Sequence, residues 1–286
     1  MYLKLTKKLK VHSWGGFGSQ LFAAAVIIKL KRLYPESDVQ LIHHTGGVTY
    51  RNFELPGNFP KPIKIINDKV NRSEQNISSF RLRPLLSKYL KNTLLRIGVV
   101  KNFNSDLDFD RVSKKTLQIR GHYSYLKLED FEIESILKLL RNASQLPENF
   151  HNLDLVIHYR LGDLTDLDIK KAPTDIESLK SIMKNITSGK KFKSVLVMTD
   201  TPEQAKLNFK DIKFNKIYYE QNTPLNTILI GTFSKKFIGT NSKLSIWISI
   251  LRSHLFNGER ETFMPKNLQL NLEKILEIKA KQIFYF

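Results

Sequence analysis

The chain opens with polar and apolar positions in steps of two. Residues 3–11 set Leu3, Leu5, Leu9 and Val11 among Lys and Thr, which is strand periodicity. A glycine-rich turn follows, and residues 21–33 then read as a helix stopped by Pro35. Residues 39–42 make a short strand, so the first 45 residues predict β-loop-α-β, an opening of the nucleotide-fold type. The stretch 51–104 is irregular, basic and proline-containing. Inside it Leu85, Leu86, Tyr89, Leu90 and Leu94 fall at helical spacing, with Arg83, Lys88, Lys91 and Arg96 between them. Such a basic amphipathic helix either packs on the core or lies on an anionic membrane surface. A further helix is predicted over 129–141.

The second half alternates strands and helices. Apolar, β-branched runs predict buried strands at 153–159 and 194–198, and shorter strands at 216–219 and 236–239. Helices are expected at 174–186 with Thr174 as N-cap, at 202–209 after Thr201, at 225–232 and at 242–251. In the last of these Leu244, Trp247, Ile248 and Leu251 would form one buried face. Repeated βα alternation implies a parallel doubly wound sheet. A domain boundary is placed near 142–152, giving domains 1–150 and 151–286.

Composition narrows the class. The 286 residues carry 46 Lys plus Arg against 27 Asp plus Glu, a net charge of +19. That excess favours polyanionic partners: nucleic acid, an anionic membrane face or phosphorylated small molecules. There is no cysteine, so disulfide and thiolate chemistry are excluded, and a cytoplasmic location is expected. Residues 1–10 lack the apolar core of a signal peptide, and the longest apolar run, 21–28, is too short to span a bilayer. A soluble or peripheral protein follows as the expectation.

Four stretches carry candidate chemistry. Gly15, Gly16 and Gly18 are three of only 13 glycines, and they sit between a strand and a helix. There bare backbone can approach an anion at the helix N-terminus, or simply reverse tightly. Ser19 and Gln20 follow as capping or contact residues. At 155–164 a buried strand ends and presents His158, Arg160 and Asp163, where ligands of parallel sheets bind. A guanidinium there holds two phosphate oxygens at once, or pairs with Asp163. Thr199 and Asp200 end the next strand, and Thr240, Asn241 and Ser242 open a later helix.

Taken in order, these stretches resemble the glycosyltransferases of the α-1,2-fucosyltransferase type, with their α-1,6 and protein O-fucosyltransferase relatives. The landmarks are Gly15-Gly16-Phe17-Gly18-Ser19-Gln20, the Gly121-containing stretch 119–131, His158-Tyr159-Arg160-Leu161-Gly162-Asp163, residues 198–203, and Asn241-Ser242-Lys243-Leu244-Ser245-Ile246-Trp247. The resemblance implies an α/β GT-B fold, two Rossmann-like domains facing a central cleft, with GDP-fucose held mainly by the C-terminal half. It implies inverting transfer of fucose to a galactose-type hydroxyl of a bacterial surface glycan such as an O-antigen, without metal or cofactor. By position Arg160 would hold the diphosphate, His158 would line the site, and Gly16, Gly18, Ser19, Gln20, Thr199, Asp200, Asn226, Asn241 and Ser242 would surround the donor. Asp163 is the first candidate base, with His12, His122, Asp166 and Asp168 behind it.

Two positions depart from the family pattern. Its second arginine is Leu161, and the acidic residue that reads guanine in relatives is Asn226. A different nucleotide-sugar donor is therefore one alternative. A sugar-nucleotide-binding protein without turnover is another, and a basic nucleic-acid-binding protein a third. Against the last, the basic residues are spread along the chain and no RNA-binding motif appears, so no nucleic-acid partner is expected. The expected acceptor is an oligosaccharide or lipid-linked glycan at the inner face of the cytoplasmic membrane. The basic helix and residues 282–286 would serve as membrane contacts, or the terminus would pack on the protein.

Overall fold

The structure is a computed structural model and describes residues 8–46, 49–57, 59, 63–67, 84–121, 123–143, 153–161, 174–187, 192, 194–212, 214, 216–276 and 282–286. The chain divides into two compact units, Met1–Leu139 and Leu140–Phe286. The division falls upstream of the 142–152 stretch, within a helix.

The first unit contains β1 (Lys8–Trp14), α1 (Phe17–Leu33), β2 (Asp38–His44), β3 (Ile63–Ile66), α2 (Pro84–Arg96), β4 (Val100–Phe103) and β5 (Gln118–Gly121). The helix α3 (Asp130–Asn142) runs across the division. The sheet order is β3-β2-β1-β5-β4, with every pairing parallel. Leu9, Val11, Val39, Leu41 and Ile119 are buried on one face of this sheet. Alternation places Lys8, Lys10, His12 and Trp14 of β1 on the other.

Of the strand expected at 3–11, residues 3–7 lie outside the described residues; β1 runs on to Trp14, because His12 and Ser13 are buried and pair with Ile42 and His43. The first helix begins at Phe17 rather than at residue 21, with Gly16 as its N-cap. On α2, Tyr89 is 79% exposed, so this apolar position is not buried in a core.

The second unit contains β6 (Leu155–Tyr159), α4 (Ile176–Thr187), β7 (Val195–Thr199), α5 (Pro202–Asn208), β8 (Ile217–Glu220) and α6 (Pro224–Phe233). It continues with β9 (Lys236–Ile238), α7 (Lys243–Phe256), β10 (Thr262–Met264), α8 (Gln269–Leu276) and β11 (Ile283–Tyr285). The order β11-β10-β9-β6-β7-β8 is again all parallel. The expectation of an α/β chain built from two Rossmann-like parallel sheets is met.

Burial on both faces explains why β6 and β7 read as continuous apolar runs. Leu155, Ile157, Tyr159, Val195 and Val197 pack with Leu179 and Met183 of α4 and Ala205 of α5. Their neighbours in sequence, Val156, His158, Leu196 and Met198, are buried on the opposite face.

Several local expectations are corrected. The cap of α4 is Asp175, whose carboxylate accepts from both the N–H and the hydroxyl of Ser178, each at 2.8 Å. A carboxylate at a helix N-terminus outbids a neutral hydroxyl. Thr201 stands at the cap position of α5, but its side chain makes no cap bond. The helix α7 buries not one face but nearly its whole circumference, Ser245 through Ser253. Residues 283–286 belong to the sheet: β11 pairs with β10, and the Phe286 N–H donates to the Met264 carbonyl at 3.1 Å. That bonding accounts for the terminus without a membrane. Among the described residues no helix is long and apolar enough to cross one.

Candidate functional site at the strand-order reversal of the second sheet

From β6 the chain builds outward through β7 and β8, and from β9 it builds the other way through β10 and β11. The sheet therefore reverses between β6 and β9. Connections leaving the carboxyl ends of these two strands diverge, and the crevice between them is where doubly wound sheets bind ligands. Arg160 follows directly on β6. Gly239, Thr240, Asn241 and Ser242 follow directly on β9. Two stretches about 80 residues apart in sequence thus meet at one edge.

The meeting is held by a closed set of hydrogen bonds. The Thr240 hydroxyl donates to the His158 carbonyl at 2.9 Å and accepts from the Arg160 N–H at 3.4 Å. The Thr240 N–H donates to Ser245 Oγ at 3.1 Å. Ser245 Oγ also lies 2.7 Å from His158 Nδ1, and the Ser245 N–H donates to the capping Ser242 Oγ at 3.2 Å. A Cβ on Gly239 would sit 2.4 Å from Met264 Sδ and 2.9 Å from Ser245 Cβ, so only glycine lets the loop pass this close to α7. The Asn241 N–H donates to Thr174 Oγ1 at 2.9 Å, and the Leu161 N–H to Asp200 Oδ1 at 3.1 Å.

His158 is fully enclosed. Burial, and then the charge of Arg160, lower its pKa to about 3, so the ring is neutral at pH 7. It acts as a brace between β6 and the first turn of α7, not as an exposed acid or base. Thr199 spends its hydroxyl on the Thr201 N–H at 3.2 Å and likewise shapes its loop. Asp200 is exposed. Asn226 stands in the first turn of α6, its N–H held by the capping Thr223 hydroxyl at 3.3 Å.

The crevice is therefore lined by Arg160, the loop 240–242 and the start of α7, whose first turn holds Lys243 and no acidic residue. The backbone of a cationic residue and the positive pole of a long helix meet there, an arrangement that suits a diphosphate. Of the candidate bases, His122, Asp163, Asp166 and Asp168 lie outside the described residues, as does Gly162.

The glycine-rich stretch occupies the equivalent carboxyl edge of β1 in the first unit. Gly15 has φ 85°, and a Cβ there would also press on Ser19 Oγ at 3.0 Å. Gly16 caps α1, whose first turn is free of acidic residues, and Gly18 and Ser19 lie in that turn. Gln20 is fully buried: its amide donates to the carbonyls of Gly15 and Asn52 at 3.1 and 2.8 Å and accepts from the Glu54 N–H at 2.8 Å. With both amide hydrogens spent, Gln20 fixes the loop instead of reaching a donor. Gly121, from the mid-chain landmark, has φ 151°, and a Cβ there would fall 1.8 Å from the Phe103 carbonyl oxygen. It is required by close strand contact.

Sequence reasoning missed Thr174 as a brace of the loop 240–242, and Ser245 as the partner of His158. The second had a visible signal, a serine three residues after a capping serine. Thr174→Val is expected to cost about 1 kcal/mol of stability in the second unit, the usual worth of one such bond. Urea unfolding of the two proteins side by side measures it.

No family model matches the chain, and no curated protein matches its sequence. Solved structures match the chain at low identity. The E. coli heptosyltransferase WaaC with ADP is 10% identical over 97% of this chain and 93% of that one, with a TM-score of 0.46. POFUT1 in complex with GDP is 12% identical over 91% and 98%, with a TM-score of 0.40. POFUT1 in complex with GDP-fucose is 11% identical over 99% and 98%, with a TM-score of 0.37. Likeness of this degree assigns the chain to no family and no activity.

Proposed function

We propose that the chain is a nucleotide-sugar-dependent glycosyltransferase that holds the donor diphosphate between Arg160 and the start of α7. One observation carries this reading: the strand-order reversal of the second sheet brings Arg160 and the loop 240–242 to the same crevice. Transfer breaks the bond between the anomeric carbon and the diphosphate, and negative charge grows on the leaving group. The Arg160 guanidinium and the helix pole stand ready to stabilise that charge without reorganising. His158, Ser245, Thr240 and Thr174 keep the crevice in shape.

The finer reading is inverting, metal-independent transfer of fucose from GDP-fucose to a galactose-type hydroxyl, α-1,2-linked, in a bacterial surface glycan. It rests on the order of the sequence landmarks. Asn226 would meet the base and Asp163 would take the acceptor proton. The exposed Tyr89 and Leu90 on the basic helix α2 are compatible with a peripheral station on an anionic membrane.

Calorimetry with GDP, UDP, CDP and ADP tests both levels. GDP is expected to bind tightest, and Arg160→Ala to weaken it about thirtyfold, the worth of a charge-assisted bidentate contact. Binding of UDP in preference to GDP removes fucose from the reading and leaves the transferase. Failure of every nucleotide to bind, or an Arg160→Ala variant that binds as well as the parent, overturns the proposal.

A further inference from the structure

The sheet of the first unit departs from what parallel sheets ordinarily require. Both faces of such a sheet are normally apolar and covered. Here one face is. The other carries Lys10 and His12 from β1, Gln40 and Ile42 from β2, Lys64 and Ile66 from β3, and Gln118 from β5. The register puts these residues side by side: Lys10 pairs with both Gln40 and Gln118, while Ile42 pairs with both His12 and Lys64. Together they line an open trough of about 400 Å³, within the size range of small-molecule sites.

The chemistry of the lining is specific. Among the described residues no acidic side chain contributes to it. Among the described residues neither Lys10 nor Lys64 has an ion-pair partner, and both side chains are exposed to the trough's open side. Deeper in, His12 Nε2 and Gln118 Oε1 are buried without a hydrogen bond of proper geometry. Beyond the trough, the carboxyl end of the same face holds a stacked aromatic cluster in which His12 and His44 are buried. His12 and Trp14 stack at 5.9 Å, Trp14 and His44 at 4.6 Å, and His12 Nδ1 lies 2.8 Å from His44 Nε2. The Arg120 guanidinium stands 5.9 Å from the Trp14 ring.

Two cationic ends, two side-chain amides, an apolar floor of Ile42 and Ile66 and the His12 ring form a receptor for a polar ring bearing negative charge. We propose that this trough binds a small acidic saccharide, a sugar ring carrying a phosphate or a carboxylate. Lys10 and Lys64 meet the anion, Gln40 and Gln118 meet hydroxyls, and the His12 ring bounds the sugar. The site belongs to the first unit alone and does not depend on the donor reading of the second.

Calorimetry on the full chain at low salt tests it with four probes: galactose 6-phosphate, galacturonate, galactose and inorganic phosphate. At least one acidic sugar is expected to bind at least tenfold more tightly than either galactose or phosphate. Preference between the two acidic sugars identifies the anion. Lys10→Gln/Lys64→Gln is expected to weaken that binding tenfold or more without moving the thermal midpoint, since both side chains are exposed. The same variant is expected to bind GDP as the parent does, and Arg160→Ala to leave the acidic sugar untouched. Failure of both acidic sugars to bind overturns the proposal. So does phosphate binding as tightly as the sugars, or affinity unchanged in the double variant. None of these overturning results bears on nucleotide binding by the second unit.

Discussion

Arg252→Met is expected to destabilise the second unit by about 4 kcal/mol, enough to leave an otherwise ordinary domain close to unfolding. Arg252 is 1% exposed and is among the largest fully buried side chains. Its Nε donates to Thr262 Oγ1 at 2.9 Å. Nη1 donates to the carbonyls of Gly231, Thr232 and Ser234 at 3.0, 3.1 and 2.7 Å. Nη2 reaches the carbonyls of Lys235 and Glu261 at 3.1 and 2.9 Å.

These acceptors lie at the end of α6, at the entry to β9 and at the entry to β10. The last carbonyls of a helix have no partner within it, and the helix pole there is negative. One guanidinium satisfies them and ties three elements together. Burial, and then the nearby charge of Arg260, lower its pKa to about 9, which still leaves it protonated at pH 7. Methionine fills part of the volume and supplies no donor. Several interior carbonyls are then orphaned, each at about 1–3 kcal/mol, and partial entry of water limits the sum. Arg252→Lys should recover less than half, because an ammonium cannot reproduce the planar fork. Urea unfolding followed through Trp247, on the same helix and fully buried, reads the loss. A methionine variant within 1 kcal/mol of the parent would refute this account.

Much of the second sheet was legible because burial on both faces writes β6 and β7 as uninterrupted apolar runs. The stretches that end in Arg160 and begin at Thr240 were legible for a related reason: polar residues directly after such runs stand out. Their meeting was not legible. Strand order leaves no trace in local periodicity, so nothing in residues 155–164 announces that β9 is the neighbour of β6.

The three-residue strands β10 and β11 escaped because alternation cannot be seen over three positions. Uniform burial hid the extent of α7, whose apolar residues suggest one face when all sides are covered. Nothing local marks Arg252, since its partners lie up to 21 residues away in the turns around α6 and β10. The loop contacts of Gln20 stayed hidden for the same cause. Its partners, residues 52 and 54, sit in a loop with no pattern to read. In the first sheet, by contrast, the alternation that predicted β1 already placed its lysines on one face. Register then gathered them with Lys64 and the two glutamines.

Lowering the pH from 7 to 5 is expected to destabilise each unit by about 2 kcal/mol through one buried histidine, His12 or His158, with His43, its pKa also lowered by burial, adding to the loss in the first unit. In the first unit His12 is 4% exposed, and burial, then the charges of Arg120, His44 and Lys10, lower its pKa to about 2. In the second unit His158 is lowered to about 3. Both rings are neutral when folded, and both take up a proton near 6.5 when the chain unfolds. Below that pH the unfolded state binds more protons, so folded stability falls. The loss begins at about 6.5 and continues down to the folded values, while above 6.5 these groups make no difference. At pH 5 the gap is about 1.5 units for each ring, at about 1.4 kcal/mol per unit. The two tryptophans separate the contributions, because Trp14 stacks on His12 and Trp247 lies buried in α7 beside the residues that hold His158. Single-tryptophan variants therefore report one unit each in urea unfolding at the two pH values. His158→Asn keeps a polar atom toward Ser245 and cannot protonate. It should flatten the response seen by Trp247 and leave that seen by Trp14 unchanged. Unfolding midpoints that ignore pH between 7 and 5 would mean that neither ring is held neutral by burial, and the brace assigned to His158 would lose its physical basis.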